Sequence, residues 1–238
     1  MASPRRPLHK LVGRLHPELD VATAISGGQV RVNGAVITNP GSMVRADDSI
    51  VVTSRRRLKG QDKLGFGLDK LDVAGLDGLV GLDIGACTGG FTKALLDRGV
   101  AKVYAVDVGH GQLLGSLRQD PRVVNLERVN ASDLTTQHVP EPVDVVVVDV
   151  SYSPLRAILG DVTSSVQMNQ RAELVALVKP MFELQSASLP TEETELALAV
   201  EWAQAAATEA GWTVLSTIES PLKGNNGAIE YFVHGVLT

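Results

Sequence analysis

The spacing of apolar residues along the chain changes character near residue 68. Upstream, apolar positions recur at helical spacing over 7–15 and again over 20–25, which predicts two short helices, the second ended by Gly27-Gly28. Val30-Arg31-Val32 then alternates, Asn33-Gly34 is a two-residue hairpin signal, Val36-Ile37 returns, and Ile50-Val51-Val52 follows a polar loop as a third short strand. The expectation is a compact α+β module over residues 1–54. A basic linker over 55–67 follows, opening Arg55-Arg56-Arg57-Leu58-Lys59-Gly60 and suited to tracking phosphates.

Downstream, strand-length apolar runs alternate with helical periodicity. Strands are expected at 80–84, 103–106, 123–126, 143–148 and 174–178, with helices at 88–98, near 154–159 and over a long amphipathic stretch at 191–210. Two final strands, 214–219 and 229–236, close the pattern as a hairpin. Apolar runs separated by helices predict a parallel sheet with crossover helices, so residues 68–238 form an α/β domain.

At 238 residues and 44% hydrophobic content, the chain can bury one large core and carry a small accessory domain. No apolar run approaches the roughly 18 residues that span a bilayer. The basic N-terminus has no apolar segment behind it, so the expected compartment is the cytoplasm, with no membrane partner. The single cysteine, Cys87, excludes an intrachain disulfide, and His9, His16, His110, His138 and His234 show no metal-ligand spacing, so no metal is expected. The net charge of −5 hides an asymmetry: residues 1–63 hold 11 Lys+Arg against 5 Asp+Glu, and residues 64–238 hold 11 against 22. A basic end beside an acidic body points to a polyanion as the partner of the N-terminal module.

The sharpest chemical signal is Gly81-Leu-Asp-Ile-Gly-Ala-Cys-Thr-Gly-Gly-Phe-Thr92, a glycine-rich turn between a strand and a helix. Gly85, Gly89 and Gly90 permit close backbone approach, and the free N–H groups of the following helix meet a polar ligand. The next strand ends in Asp107, placed to hold ribose hydroxyls of an adenosine-containing cofactor in a Rossmann-like unit. A nicotinamide dehydrogenase shares these features. The spacing here is G-x-x-x-G-G, however, and Asp83 at the strand tip repels a pyrophosphate but suits an amino-acid ammonium, which favours S-adenosylmethionine.

In an open α/β sheet, ligands lie beyond the carboxyl ends of the strands. Asp149 ends one strand, Lys179 ends another ahead of Pro180, and Glu230 opens the last. Charged groups there cost desolvation unless paired, and Lys179 has Asp149 or Glu230 as partner. The bland alternative is a structural ion pair at the sheet rim.

Over nearly its whole length the chain resembles the TlyA family, historically called haemolysins, which join an S4-type RNA-binding domain to an FtsJ-like 2′-O-ribose methyltransferase. The resemblance is carried by residues 82–92, by Ala105-Val-Asp-Val-Gly-His-Gly-Gln-Leu113, by 117–124 with 126–130, by Leu177-Val-Lys-Pro-Met-Phe-Glu183 and by Gly227-Ala-Ile-Glu-Tyr-Phe232. It implies S-adenosylmethionine-dependent methylation of an rRNA ribose, at a cytidine, with rRNA or a ribosomal subunit as partner. It also places a Lys-Asp-Lys-Glu tetrad on Lys63, Asp149, Lys179 and Glu230, with Lys70 a competing register for Lys63. In that reading Lys179 is the base or hydroxyl orienter and Asp149 positions it. Lys63 holds substrate phosphate or tunes charge, and Glu230 orients the lysines. The cofactor is expected on Asp83, the Gly85-Ala86 and Gly89-Gly90 backbone, Phe91, Thr92 and Asp107, with Asn130 and Asp133 at the adenine.

Two departures from the family pattern bear on the substrate. Leu-Gln-Ser-Ala-Ser-Leu-Pro after Glu183 replaces a glycine-rich stretch, and the second helix of the basic module lacks an Arg/Ser-rich entry. Phosphate contacts then fall to Arg5, Arg6, Lys10, Arg14, Arg31, Arg55, Arg56, Arg57 and Lys59. With no further helix after the last strand, one rRNA target is expected over two. A noncatalytic rRNA-binding protein and a membrane-lytic haemolysin are the competing readings.

Overall fold

The computed structural model of the chain describes residues 4–17, 19–26, 28–52 and 58–238, apart from the Thr23 side chain. The chain divides into two compact units, Met1–Arg57 and Leu58–Thr238.

In the smaller unit, β1 (Arg5–Pro7) runs into α1 (Leu8–Leu15), followed by α2 (Val21–Ser26), β2 (Val30–Val32), β3 (Ala35–Val36), β4 (Met43–Arg45) and β5 (Ile50–Val52). Strands β3, β2 and β5 form an antiparallel sheet in that order. Asn33 and Gly34, at φ +50 and +84, make the tight turn between β2 and β3. Leu8, Val12 and Ile25 from the helices pack against Val30, Val32 and Val44. Strands β1 and β4 pair antiparallel and were not among the expected elements, because three-residue strands with arginines facing outward carry no readable alternation. Arg5, Arg6, Lys10, Arg14 and Arg31 are all exposed, whereas Arg55, Arg56 and Arg57 lie outside the described residues.

The larger unit opens with α3 (Lys59–Lys70), which corrects the expected linker: its residues from 59 onward are helical and carry buried Leu64 and Leu68. The helical period was hidden by Gly60, Gly65 and Gly67, each costing roughly 1 kcal/mol of helix propensity relative to Ala. Two of these glycines are packing devices. A Cβ on Gly67 would lie 3.1 Å from the Phe232 ring, and one on Gly60 3.3 Å from Gly90 Cα.

Then follow β6 (Val80–Ile84), α4 (Gly90–Asp97), β7 (Lys102–Asp107), α5 (Gly115–Arg118), β8 (Val123–Glu127), β9 (Val143–Val148), α6 (Leu159–Ser165), β10 (Met168–Val178), α7 (Pro180–Glu183), α8 (Glu193–Glu209), β11 (Trp212–Glu219) and β12 (Tyr231–Leu237). They build a seven-stranded sheet of order β11-β12-β10-β9-β6-β7-β8, in which β12 runs antiparallel to both neighbours. Both faces are covered. Val146 and Val148 pack in one apolar layer with Trp212 and Ala203 of α8, and Val145 and Val147 in the other with Leu64 of α3 and Leu95 of α4. That two-sided burial explains why the central strands read as unbroken apolar runs. Strand β10 starts six residues before the expected 174, with a register shift between Met168 and Glu173 and Arg171 at φ +62 that breaks the alternation. The helix expected near 154–159 is a 3-10 turn, Leu155–Ala157, leading into α6. Among the described residues no helix is long and apolar enough to cross a membrane.

Candidate active site

Strand β12 decides where the chemistry assembles. Because it runs opposite to β10, with Val178 paired to Tyr231, its beginning lies at the carboxyl ends of the parallel strands. Glu230, just before β12, therefore comes to the same rim as Asp149 after β9 and Lys179 after β10. Helix α3 delivers the fourth group. The close approach of Gly60 and Gly90 seats α3 against the start of α4, and a Cβ on Gly90 would stand only 2.8 Å from Gly60 Cα. Lys63, one turn further on, then points inward. Of the two candidate lysines, Lys63 is buried and Lys70 sits exposed over the Phe66 ring at 5.9 Å.

The four groups form two ion pairs. Lys63 bonds Glu230, the two side chains being 7% and 5% exposed. Lys179 Nζ lies 2.6 Å from Asp149 Oδ1 and also donates to Ser151 Oγ. Asp149 Oδ1 is buried and has no aligned hydrogen bond among the described residues, so the contact with Lys179 is ionic rather than a well-directed N–H···O bond. Lys179 is thus paired with Asp149, and Glu230 holds Lys63. The Lys63 ammonium is buried and already paired. Sequence reasoning missed Ser151, an exposed serine in a loop with no spacing signal of its own.

These residues border a cleft of about 310 Å³ whose opposite wall is the glycine turn. Gly85, Ala86, Gly90 and Phe91 line it, as do Lys63, Asp149, Lys179, Glu230 and Lys59, which donates to Gly224 O at 3.3 Å. Gly85, at φ +89, has no space for a side chain: a Cβ would lie 2.4 Å from Asp149 O, so only glycine lets β6 and β9 end this close. Gly89, at φ +94, faces the other way, and a Cβ there would overlap Leu117 and Leu113. Cys87 N–H donates to Asp107 Oδ2 at 2.8 Å and Gly109 N–H to Oδ1 at 2.6 Å, which fixes the Asp107 carboxylate at the tip of β7. Asn130 and Asp133 are exposed on the segment after β8, which is tied to the β7 tip through Val129 N–H and Asp107 O.

Asp83 does not open to the cleft. It is fully buried beneath the turn, where Thr92 Oγ1 donates to its Oδ2 at 2.6 Å and its Oδ1 has no hydrogen-bond partner among the described residues. Burial pushes its carboxyl up to about 7, offset in part by the Thr92 hydroxyl, with the charge of Asp149 adding to the rise. Asp83 and Thr92 together brace the turn from below.

The residues fit an adenosyl-sulfonium cofactor. Gly85 and Gly90 line the cleft together with the lysine–carboxylate pairs, and Cys87 of the same lining is tied to the fixed Asp107 carboxylate. A second cavity of about 230 Å³ adjoins the cleft, sharing Ser151, Lys179, Asn225 and Glu230. Its remaining walls are mostly apolar, including Phe182, Pro190 and Ile229.

The chain is similar to known proteins. A family model described as FtsJ-like methyltransferase matches residues 57–236, and one described as S4 domain matches residues 19–50. The chain is 39% identical over 224 residues to the 16S/23S rRNA (cytidine-2′-O)-methyltransferase TlyA of Mycobacterium tuberculosis, covering 89% of this chain and 81% of that protein. It is 32% identical to Hemolysin A of Brachyspira hyodysenteriae, covering 90% and 91%. A solved putative hemolysin from Streptococcus thermophilus superposes with a TM-score of 0.72 at 28% identity, over 100% of this chain and 90% of that one.

Proposed function

Since the chain belongs to the FtsJ-like methyltransferase family and, within it, to the TlyA group, we propose that it transfers a methyl group from S-adenosylmethionine to a ribose 2′-hydroxyl of rRNA. The observation that carries this reading is the placement of Lys179 Nζ between Asp149 and Ser151 at the junction of the two cavities. One cavity suits the cofactor and the other a nucleoside, and the lysine stands where they meet.

Gly85, Ala86, Gly90 and Phe91 would hold the cofactor's methionine end, and Asp107 its ribose. When bound, S-adenosylmethionine supplies a methyl group on a sulfonium centre. The residues of this chain do the rest. Lys179 would orient the 2′-hydroxyl for in-line attack and, in its amine form, take the hydroxyl proton as the new O–C bond forms and the methyl–sulfur bond of the sulfonium breaks, its electron pair returning to sulfur. Asp149 stabilises the resulting ammonium. The Lys63–Glu230 pair keeps the cleft floor electrically balanced without competing for the hydroxyl. In the second cavity Phe182 offers an aromatic face and Asn225 and Asn226 offer amides, a combination suited to a nucleobase. The relatives of Mycobacterium tuberculosis and Campylobacter jejuni are named as cytidine methyltransferases, which supports cytidine as the target. The exposed arginines and Lys10 of the small unit would bind phosphates of the same RNA and add affinity rather than sequence choice. We further assign the protein to the cytoplasm, where its rRNA substrate resides.

The test is transfer of labelled methyl from S-adenosylmethionine to ribosomal subunits and to naked rRNA. Label on a cytidine 2′-oxygen with wild type but not with a folded Lys179→Ala variant is the expected result. Cofactor binding without label on any rRNA would favour a noncatalytic RNA-binding protein.

A further inference from the structure

We propose that Glu183 is a positioning residue, which clamps the segment carrying Asp149 and Ser151 to the strand end carrying Lys179. The inference deepens the reading above and rests on it for the identity of the reaction.

The segment from Asp149 to Leu155 is anchored at both ends. At its start, Asp149 N–H donates to Ile84 O at 2.9 Å, and Gly85 packs against the Asp149 carbonyl. At its end, Leu155 opens a 3-10 turn whose N-cap, Pro154, offers no side-chain acceptor. The Leu155 N–H would be an orphan in a buried place. Glu183 supplies the acceptor: its Oε1 receives the Leu155 N–H at 2.9 Å, and the glutamate is only 2% exposed. Between the anchors, Ser151 and Tyr152 are exposed, and Ser151 accepts from Lys179.

Glu183 reaches this position through α7, a helix of four residues for which Lys179 is the N-cap. One short rigid unit therefore bears the lysine at its front and the clamp at its rear. The lysine backbone and the Asp149–Leu155 segment are tied to each other through a side chain that lines neither cavity. A buried carboxylic side chain is costly there, and burial pushes its carboxyl up to about 7. The role needs an acceptor oxygen rather than a negative charge, so glutamine is the conservative replacement.

The experiment compares wild type with Glu183→Gln and Glu183→Met by steady-state methyl transfer to rRNA and by amide hydrogen exchange over residues 150–158, with thermal melts as the check on folding. Glu183→Gln is expected to keep kcat within about twofold of wild type, while Glu183→Met lowers kcat on the order of 10- to 100-fold, the scale of a small misplacement of reacting groups. Its KM for S-adenosylmethionine stays within about twofold, because the cofactor turn is untouched. Exchange over 150–158 is faster in Glu183→Met and unchanged in Glu183→Gln. The proposal is overturned by a folded Glu183→Met with unaltered kcat and exchange, or by a Glu183→Gln that loses as much as Glu183→Met. If wild type methylates no rRNA, the proposed reaction fails, and the exchange comparison alone decides whether the clamp exists.

Discussion

Asp149 Oδ1 stands 2.6 Å from Lys179 Nζ across the tips of the adjacent parallel strands β9 and β10. Ala176 pairs with Val148 where β9 ends, and β10 continues to Val178, so Lys179 follows its strand two residues beyond the level of Asp149 and its long side chain spans the offset. We predict that Lys179→Ala lowers kcat on the order of 10²- to 10⁴-fold, the range for losing a positioned proton-transfer group. Asp149→Asn lowers it less, since Lys179 keeps Ser151 as a partner. Isothermal titration with S-adenosylmethionine checks that cofactor binding survives in both. A folded Lys179→Ala with near-normal turnover would remove Lys179 from the mechanism.

The Lys63–Glu230 pair is more deeply buried than the Asp149–Lys179 pair and behaves differently. Removing one partner strands the other charge in the interior, so Glu230→Ala is expected to cost about 3–5 kcal/mol of stability. Replacing both, as Lys63→Met with Glu230→Leu, restores most of that stability. The double variant stays inactive if the pair contributes to the electrostatics of the cleft. Chemical denaturation of the two single variants and the double variant, read as a cycle, measures the coupling. A double variant as active as wild type would reduce the pair to a structural one.

Asp83 makes stability depend on pH. Its carboxyl titrates near 7 in the fold and near 3.8 as a free side chain, so between those values the folded state holds a proton that the unfolded state has lost. Stability falls as pH rises through that window, by up to about 1.4 kcal/mol per pH unit, and levels off above about pH 7. Glu183, also raised to about 7, adds to the same slope. Asp83→Asn imitates the neutral form and is expected to flatten Asp83's share, leaving the variant relatively more stable at pH 8 than at pH 5. Melting temperatures across pH 5 to 8 decide it, and parallel slopes for the two proteins would count against a neutral Asp83.

The sequence already carried the glycine turn and the charged strand tips, because those signals are local: a run of valines ends, and a polar residue stands out. It carried Glu230 as a charged residue at the start of the last strand and a candidate partner of Lys179, whereas the structure pairs it with Lys63. The antiparallel direction of β12 is what brings that start beside Lys179, and direction is set by pairing across distant segments. Helix α3 was invisible for a different reason. Gly60 and Gly67 weaken the helical pattern at the contacts, with Gly90 and Phe232, that make the helix necessary. Ser151 and the clamp at Glu183 depend on contacts between residues 28 apart in the chain, for which no spacing rule exists. Asp83 was readable as important but misread in its direction, since a carboxylate at a strand tip looks solvent-facing until the turn closes over it.

Arg45 was missed for the same non-local reason, and it leads to a prediction about RNA. Strand β1 sets Arg5 directly opposite Arg45 on β4, and both are exposed. Like charges facing each other across a strand pair are destabilising, by up to about 1 kcal/mol. Asp48 offers partial relief: Asn33 and the Arg45 N–H hold its carboxyl low first, and the charges of Arg45 and Arg5 contribute after them. The juxtaposition becomes favourable once a phosphate lies over the pair. The double variant Arg5→Ala, Arg45→Ala should therefore be no less stable than wild type in thermal melts. It should bind an rRNA fragment more weakly at low salt, with the slope of log K against log salt reduced by about 1 to 2, one phosphate contact being worth roughly 0.7 to 0.9. Fluorescence anisotropy of the full chain between about 50 and 200 mM salt reads both effects, since a protein loses affinity across that range in proportion to the phosphates it neutralises. An unchanged slope would mean that the RNA passes elsewhere on the small unit.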